Sequence, residues 1–392
     1  MNKLILNTGV QDFIFENQNT DIMSVLLKKS MFEGVSQKEL AEQLESRKKC
    51  QDKLPTWFKV EGIYYPNKLN IEQTSSEPTA EYKSRLVSGK KLLDLTGGFG
   101  VDSYFFSKKM KQVTHCEINA ELSEIASHNF EILGSKNINC VPVNGIEFLK
   151  KTIENFDWIY VDPSRRNDKI GKVFLLKDCL PDLTQHLDDI LQKTSNVLIK
   201  TSPLLDIKQG ISELQFVKEI HVLAIQNEVK ELLFVIEKGY VGTIDIKTVN
   251  LYQGQEDHFN FNLTEEENAP LELGEPLTYL YEPNAAILKS GAFKTVGNTH
   301  QLKKLHPHSH LYTSSKLAEF PGRRFAIQTV LPYSKNTLKS LGVTKANITT
   351  RNFPLPVADL RKKHRIADGG DHYIFFTKNM DDTLLVLVCE KV

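Results

Sequence analysis

The chain has 392 residues, 40% of them hydrophobic and 25% charged, with 49 basic side chains against 49 acidic ones; this is the composition of a soluble globular protein of two to four domains. No run of about 18 apolar residues occurs, which excludes a membrane-spanning helix, and residues 1–20 lack the basic and apolar stretches of a secretory leader. Cysteines at 50, 116, 140, 179 and 389, with no CxxC pair, exclude a disulfide framework and a Cys-based zinc site, so the expected compartment is the reducing cytoplasm.

Residues 1–75 read mostly as helix. Ser36 and Glu39 form an S-x-x-E capping box ahead of Leu40 and Leu44 at helical spacing. From Lys90 the pattern changes to short apolar runs alternating with amphipathic stretches. The spacing predicts strands at 91–95, 112–117, 138–143, 157–162 and 197–201. Between them it predicts helices at 101–110, from Asn119 to Gly134, at 145–153 and near 174–192. This alternation implies an α/β fold with a mostly parallel sheet covered on both faces. Two more strands, near 217–224 and 231–237, are close enough in sequence to pair antiparallel. Residues 240–275 read as a further strand or two and then an acidic connector. Between Tyr252 and Leu288 there are eight acids and no Lys or Arg, whereas residues 321–392 carry twelve basic residues against six acidic ones. Such separation suggests modules with different partners. The basic end is a candidate phosphate-contacting surface or a plain solvated face.

Three motifs carry chemistry. In Leu92-Leu-Asp94-Leu-Thr96-Gly97-Gly98-Phe-Gly100-Val-Asp102-Ser103 an apolar strand ends in an acid, and a Gly-rich turn leads into a helix. The glycines allow a tight turn and close approach of a ligand. A nicotinamide-binding turn, G-x-G-x-x-G, would need a third Gly where Ser103 stands, and Asp94 would repel a pyrophosphate. Glu117 ends the second strand, where an acid can accept from ribose hydroxyls; a solvated strand-end acid is the plainer reading. Asn144 follows the third strand and either meets an adenine edge or caps the next helix. Asp162-Pro163-Ser164-Arg165-Arg166 ends the fourth strand, which flanks the switch point of such a sheet. Asp162 and Ser164 can orient an acceptor nucleophile, Pro163 stiffens the loop, and the arginines can hold a phosphate. The plainer reading is a turn with exposed arginines. Lys200 to Pro203 lies at the substrate edge of the same cleft or is a simple turn.

The order D-x-T-x-G-x-G, then E, then D-P-x resembles the class I S-adenosylmethionine-dependent methyltransferases over roughly residues 76–240. The resemblance implies a Rossmann-like seven-stranded sheet. It also implies that Asp94, Thr96, Gly97, Gly98 and Gly100 line the methionine end of S-adenosyl-L-methionine, that Glu117 binds its ribose, and that Asn144 lies near its adenine. Asp162, Pro163, Ser164 and Arg165 would form the catalytic loop. Residues 72–80, with Ser76 and Thr79, look like the segment that closes over the cofactor. The wider chain is similar to bacterial methyltransferases with a THUMP-like C-terminal module, through Asp94 to Asp102, Asp162 to Arg166, and Leu360-Arg361-Lys362-Lys363-His364-Arg365-Ile-Ala-Asp-Gly-Gly370. That likeness implies an RNA partner, tRNA or rRNA, and small α+β C-terminal modules. The expected domains are a helical accessory domain (1–75), the methyltransferase domain (76–240), a connector with a ferredoxin-like module (241–320) and a basic THUMP-like module (321–392). The amino-methylating pattern [DNS]-P-P-[YFW] is not met, since Ser164 and Arg165 replace its second Pro and its aromatic. Two other classes compete with the RNA methyltransferase: a non-catalytic RNA-binding protein that senses the cofactor, and a nicotinamide-dependent oxidoreductase.

Three lesser candidates remain. A strand would place His306, His308 and His310 on one face, but no acid or Cys completes a metal set, so no metal is expected. Tyr373 and Phe375 are stacking platforms for bases or, more simply, alternate core residues. Cys179 falls in an expected helix as a buried structural thiol.

Overall fold

The capping box at Ser36 forms as expected in a computed structural model that describes residues 1–165, 175–334 and 342–392. The Ser36 hydroxyl accepts from the Glu39 N–H at 3.2 Å, and the Glu39 carboxylate accepts from the Ser36 N–H at 2.9 Å. The helix it opens, Gln37–Lys53, is one of six between Thr8 and Ser84. It buries Leu40, Ala41, Leu44 and Cys50, and places the Arg47 guanidinium between the Phe15 and Phe58 rings. These helices share one core with residues further along the chain: Leu54, Trp57, Tyr64 and Ile71 pack with Phe99, Tyr104, Phe105 and Phe130.

The chain divides into two units, Met1–Lys218 with Glu231–Val241, and Glu219–Lys230 with Gly242–Val392. Up to residue 237 the described residues form nine strands: β1 (Lys91–Asp94), β2 (Gln112–Cys116), β3 (Ile138–Val141), β4 (Trp158–Val161), β5 (Ser164–Arg165), β6 (Cys179–Leu180), β7 (Asn196–Thr201), β8 (Val217–Ile225) and β9 (Glu228–Glu237). All seven expected strands are among them, and β5 and β6 form a small separate pair. In the first unit the order is β9-β7-β4-β1-β2-β3. The pairs are parallel except β7 with β9. Leu92, Leu93, Ile159, Val161 and Val197 to Ile199 are fully buried, as expected where both faces of a parallel sheet are covered. The chain builds outward from β1 through β2 and β3, then returns to the other side of β1 with β4, so a crevice opens beyond the carboxyl ends of β1 and β4.

In the first unit one helix differs from expectation. The helix expected near 174–192 runs only over Leu183–Leu191, after a short turn of 3₁₀ helix (Leu176–Asp178) and β6; Phe174 lies outside the described residues. Asp182 caps it, accepting from the Thr184 N–H at 3.0 Å. Cys179 therefore sits in a strand rather than a helix, and is buried.

In the second unit β8 pairs in parallel with β10 (Asp245–Tyr252), which pairs antiparallel with β11 (Gln255–Asn262). The acidic stretch after β11 begins as a helix, Leu263–Asn268, and its Glu266 carboxylate accepts from the N–H groups of Phe293, Lys294 and Thr295 at 2.8–3.1 Å. A second sheet combines β12 (Tyr279–Pro283), β13 (Lys303–Lys304), β14 (Tyr312–Ser314), β15 (Gly322–Pro332), β16 (Lys345–Thr350), β17 (Ala367–Lys378) and β18 (Leu384–Lys391), in the order β13-β14-β12-β15-β18-β17-β16. Phe325, Phe375, Leu387 and Cys389 form one core with Leu280, Leu305 and Leu311, and Tyr373 packs against it. Phe375 is thus a core residue and no stacking platform. Helix Val357–His364 inserts Leu360 into a second core with Ile374, Phe376 and Val386.

Candidate active site

Beyond β1 the backbone stays tied to its neighbours: the Leu95 N–H donates to Tyr160 O at 3.0 Å and the Gly97 N–H to Cys116 O at 2.8 Å. The loop must then turn sharply. Gly98 and Gly100 adopt left-handed φ values of +56° and +87°, a region side chains disfavour. A Cβ on Gly97 would lie 2.2 Å from the His115 ring and one on Gly100 would lie 2.3 Å from the Phe130 ring. Gly98 differs, since its nearest contact would be Thr96 O at 3.9 Å, so open room adjoins it.

Asp94 is buried with both carboxylate oxygens engaged. One accepts from the Thr96 N–H at 3.0 Å and the other from the Ser103 hydroxyl at 2.7 Å. It thereby staples the loop to the helix Val101–Ser107. Burial pushes its carboxyl up to about 7 against those two hydrogen bonds. Glu117 is half-buried, and its oxygens accept from the Gly98 N–H at 2.8 Å and the Asn119 N–H at 2.7 Å. Asn144 is a helix cap: its Oδ1 accepts from the N–H groups of Ile146 and Glu147. Thr79 is buried in helix Glu77–Ser84, its hydroxyl donating to Ser76 O at 3.0 Å. Sequence reasoning missed His115, which lies fully buried under the loop with no hydrogen-bond partner on either ring nitrogen among the described residues. Burial pushes its pKa down to about 4, so the ring is neutral.

The acceptor side is joined to this loop by the Asp162 N–H, which donates to the Thr96 hydroxyl at 2.7 Å. Pro163 is buried and Ser164 exposed. The Arg165 side chain and Arg166 lie outside the described residues. Oδ2 of Asp162 is ion-paired with the ammonium of Lys200. Below this pair lies a second cluster that sequence reasoning did not foresee. The fully buried Lys83 ammonium donates to Glu231 at 2.6 Å and to the Ser75 hydroxyl at 2.8 Å, and pairs with Asp102 at 3.1 Å. Asp102 also accepts from the hydroxyls of Ser75 and Tyr160, each at 2.8 Å. Burial opposes charge on Lys200, yet the carboxylates of Asp162, Glu231 and Asp102 hold its pKa above the usual lysine value. Lys200 therefore remains an ammonium and is no base. Burial pushes the Asp162 carboxyl up, with Lys200 working against it. The 148-residue separation of Lys83 from Glu231 explains why no local motif announced the cluster.

The remaining candidates lie in the second unit. His306, His308 and His310 occupy a bend and turn, not a strand, and the His306 and His308 rings lie 5.5 Å apart. Nδ1 of His306 accepts from the His308 N–H at 3.0 Å, while His310 stacks on Phe293 at 3.7 Å. Among the described residues no cluster of metal-ligating side chains forms. Arg361 pairs with Asp368 and donates to Ala346 O, whereas Lys362 and Arg365 are exposed. An open hollow lined by Asn352, Phe353, Pro354, Lys378, Asp382 and Leu384 contains none of the expected site residues.

Residues 279–321 match the model of a ferredoxin-like domain and residues 322–391 that of a THUMP domain-like family. A crystal structure from Porphyromonas gingivalis W83, of a protein designated a methyltransferase, is 34% identical; the match covers 98% of each chain with a TM-score of 0.90. An uncharacterized RNA methyltransferase of Mycoplasma mobile is 32% identical over 134 residues, 33% of this chain and 36% of that protein, so the match spans about a third of that relative. An uncharacterized S-adenosylmethionine-dependent methyltransferase of Mycobacterium tuberculosis is 21% identical over 79% of this chain and 83% of its own. With a relative this similar over its whole length, the chain belongs to the class I S-adenosylmethionine-dependent methyltransferases that carry a C-terminal THUMP-like domain.

Proposed function

We propose that this protein transfers a methyl group from S-adenosylmethionine to RNA, tRNA or rRNA, and that residues 76–240 do the chemistry. Residues 1–75 and 241–320 flank this catalytic part, and the basic residues 321–392 contact RNA. The observation that carries the reading is the bond from the Asp162 N–H to the Thr96 hydroxyl. It fastens the acceptor loop to the glycine loop, so one crevice can hold cofactor and nucleophile together.

The residues fit the cofactor. Gly98 leaves open room beside the loop, and Glu117, which accepts from the Gly98 N–H, is a carboxylate that suits a hydroxyl-bearing nucleoside and disfavours a pyrophosphate. The bound cofactor supplies an electrophilic methyl group on a sulfonium. Asp94 shapes the loop, Glu117 has lone pairs left for ribose hydroxyls, and the Asn144 amide N–H₂ is left for the adenine edge. Asp162 orients the nucleophile and Pro163 stiffens its loop. Ser164 contacts the acceptor, and Arg165 and Arg166 hold the adjoining phosphate. Rate then comes mainly from positioning. The test is mass spectrometry of nucleosides from total RNA of a strain lacking the gene. One methylated nucleoside should disappear, and return with the wild-type gene but not with Asp162→Ala. An unchanged nucleoside profile would overturn the RNA assignment.

A further inference from the structure

We propose that Lys200 is a positioning residue for methyl transfer: its ammonium holds one carboxylate oxygen of Asp162 so that the other is presented to the methyl acceptor. The proposal rests on the reading of Asp162 as the group that orients the nucleophile. Lys200 belongs to β7, whose register with β4 pairs Val161 with Ile199. The next residues along the two strands are Asp162 and Lys200, and register partners in a parallel pair point to the same face. The juxtaposition is therefore set by the sheet. Three restraints then act on Asp162. Its N–H is held by the Thr96 hydroxyl, the following Pro163 is buried, and Oδ2 is bound by Lys200. Oδ1 has no hydrogen bond among the described residues, and the Asp162 side chain is 32% exposed while Lys200 is 12% exposed. One oxygen is anchored and one is open.

The surrounding charges show why the anchor must be a cation. Asp102 from helix Val101–Ser107 and Asp94 from β1 both act on Asp162 as like charges, and Glu231 from β9 adds a further carboxylate beside Lys200. The other ammonium of the cluster, Lys83, is committed to Asp102, Glu231 and Ser75. Lys53, from helix Gln37–Lys53, feels Lys200 as a like charge and donates to the carbonyls of Ile71 and Glu72. The Tyr160 phenol is spent on Asp102. Without Lys200, a half-buried Asp162 among carboxylates takes up a proton and its open oxygen no longer serves as an anionic acceptor. In the transfer the nucleophile's lone pair bonds the methyl carbon and the carbon–sulfur pair stays on sulfur. The proton shed by the nucleophile passes to Oδ1 of Asp162 and on to water. A partner that merely stabilised the fold would leave this protonation step untouched.

The test compares Lys200→Met, Lys200→Gln and Lys200→Arg, alone and combined with Asp162→Asn. Labelled S-adenosylmethionine and RNA from the deletion strain are the substrates, and rates are followed across pH. The neutral variants should lose at least about tenfold in kcat with KM for the cofactor unchanged, and the acid limb of the pH profile should move up by about one unit or more. Lys200→Arg should restore the limb. In the Asp162→Asn background Lys200→Met should cost nothing further. A neutral variant with the wild-type pH profile, or losses that multiply with Asp162→Asn, would overturn the proposal. A carboxyl NMR titration of Asp162 decides the pairing without any substrate: its midpoint should rise in Lys200→Gln and not in Lys200→Arg, and an unmoved midpoint sinks the inference. Wild-type protein that methylates no RNA would instead defeat the function proposed above.

Discussion

At the residue scale the glycine loop is defined by what cannot be added to it. Gly97 and Gly100 each lack room for a Cβ, and Gly100 is also left-handed. Gly100→Ala should cost about 1–3 kcal/mol, read as a lowered urea midpoint; an unchanged midpoint would mean the Phe130 ring yields freely. Asp94 gives a pH-dependent prediction. Its folded-state carboxyl titrates at about 7 against an ordinary 3.8. Between those values the folded protein keeps a proton that the unfolded chain has released, so this group's contribution falls as pH rises and is constant above about 7. Asp94→Asn does not titrate, so its stability relative to wild type should rise between about pH 5 and about pH 8. Thermal melts at the two pH values check this, and a difference independent of pH would contradict it. Asp94 and Asp162 stand out in the sequence as strand-end acids close to glycine or proline, and Glu117 as the acid that closes the second strand. Their partners do not. Ser103, the Gly98 N–H and Lys200 become neighbours only when strands align, and His115 carries no local signature at all.

At the element scale the strands were the most readable feature, since a strand buried on both faces writes itself as an unbroken apolar run. The start of the helix at Leu183 was misplaced, although Pro181 disfavours helix before it and Asp182 is a ready cap. The histidine stripe failed for a similar reason: Pro307 stands between His306 and His308, and proline interrupts a strand. Two substitutions test the contacts at this scale. Ser36→Ala removes the cap of helix Gln37–Lys53 and should cost about 1 kcal/mol in a denaturant titration. Lys83→Met should be far worse, about 3–5 kcal/mol, because it strands Asp102 and Glu231 as buried carboxylates without their cation. Equal losses for the two variants would mean that the Lys83 cluster is not a real determinant of stability.

At the scale of the whole molecule, charge separates along the chain, with acids concentrated between Tyr252 and Leu288 and base concentrated beyond residue 321. The folded C-terminal module sharpens that pattern. Arg361 is consumed internally by Asp368 and Ala346, whereas Lys362, Lys363 and Arg365 are exposed at the helix end, Lys363 also donating to the Tyr333 hydroxyl. If this surface meets RNA backbone, Lys362→Ala with Arg365→Ala should weaken RNA binding at low salt and reduce the slope of log affinity against log salt by about one to two. An unchanged slope would move the contact elsewhere. The central claim is that this methyltransferase works on RNA through Asp162. Its most direct test is transfer of labelled methyl from S-adenosylmethionine to total RNA from a strain lacking the gene. Label should enter RNA with the wild-type protein and fall to background with Asp162→Ala, while both proteins bind S-adenosylhomocysteine equally. Label absent from RNA with the wild-type protein, or retained in full with Asp162→Ala, would contradict the account.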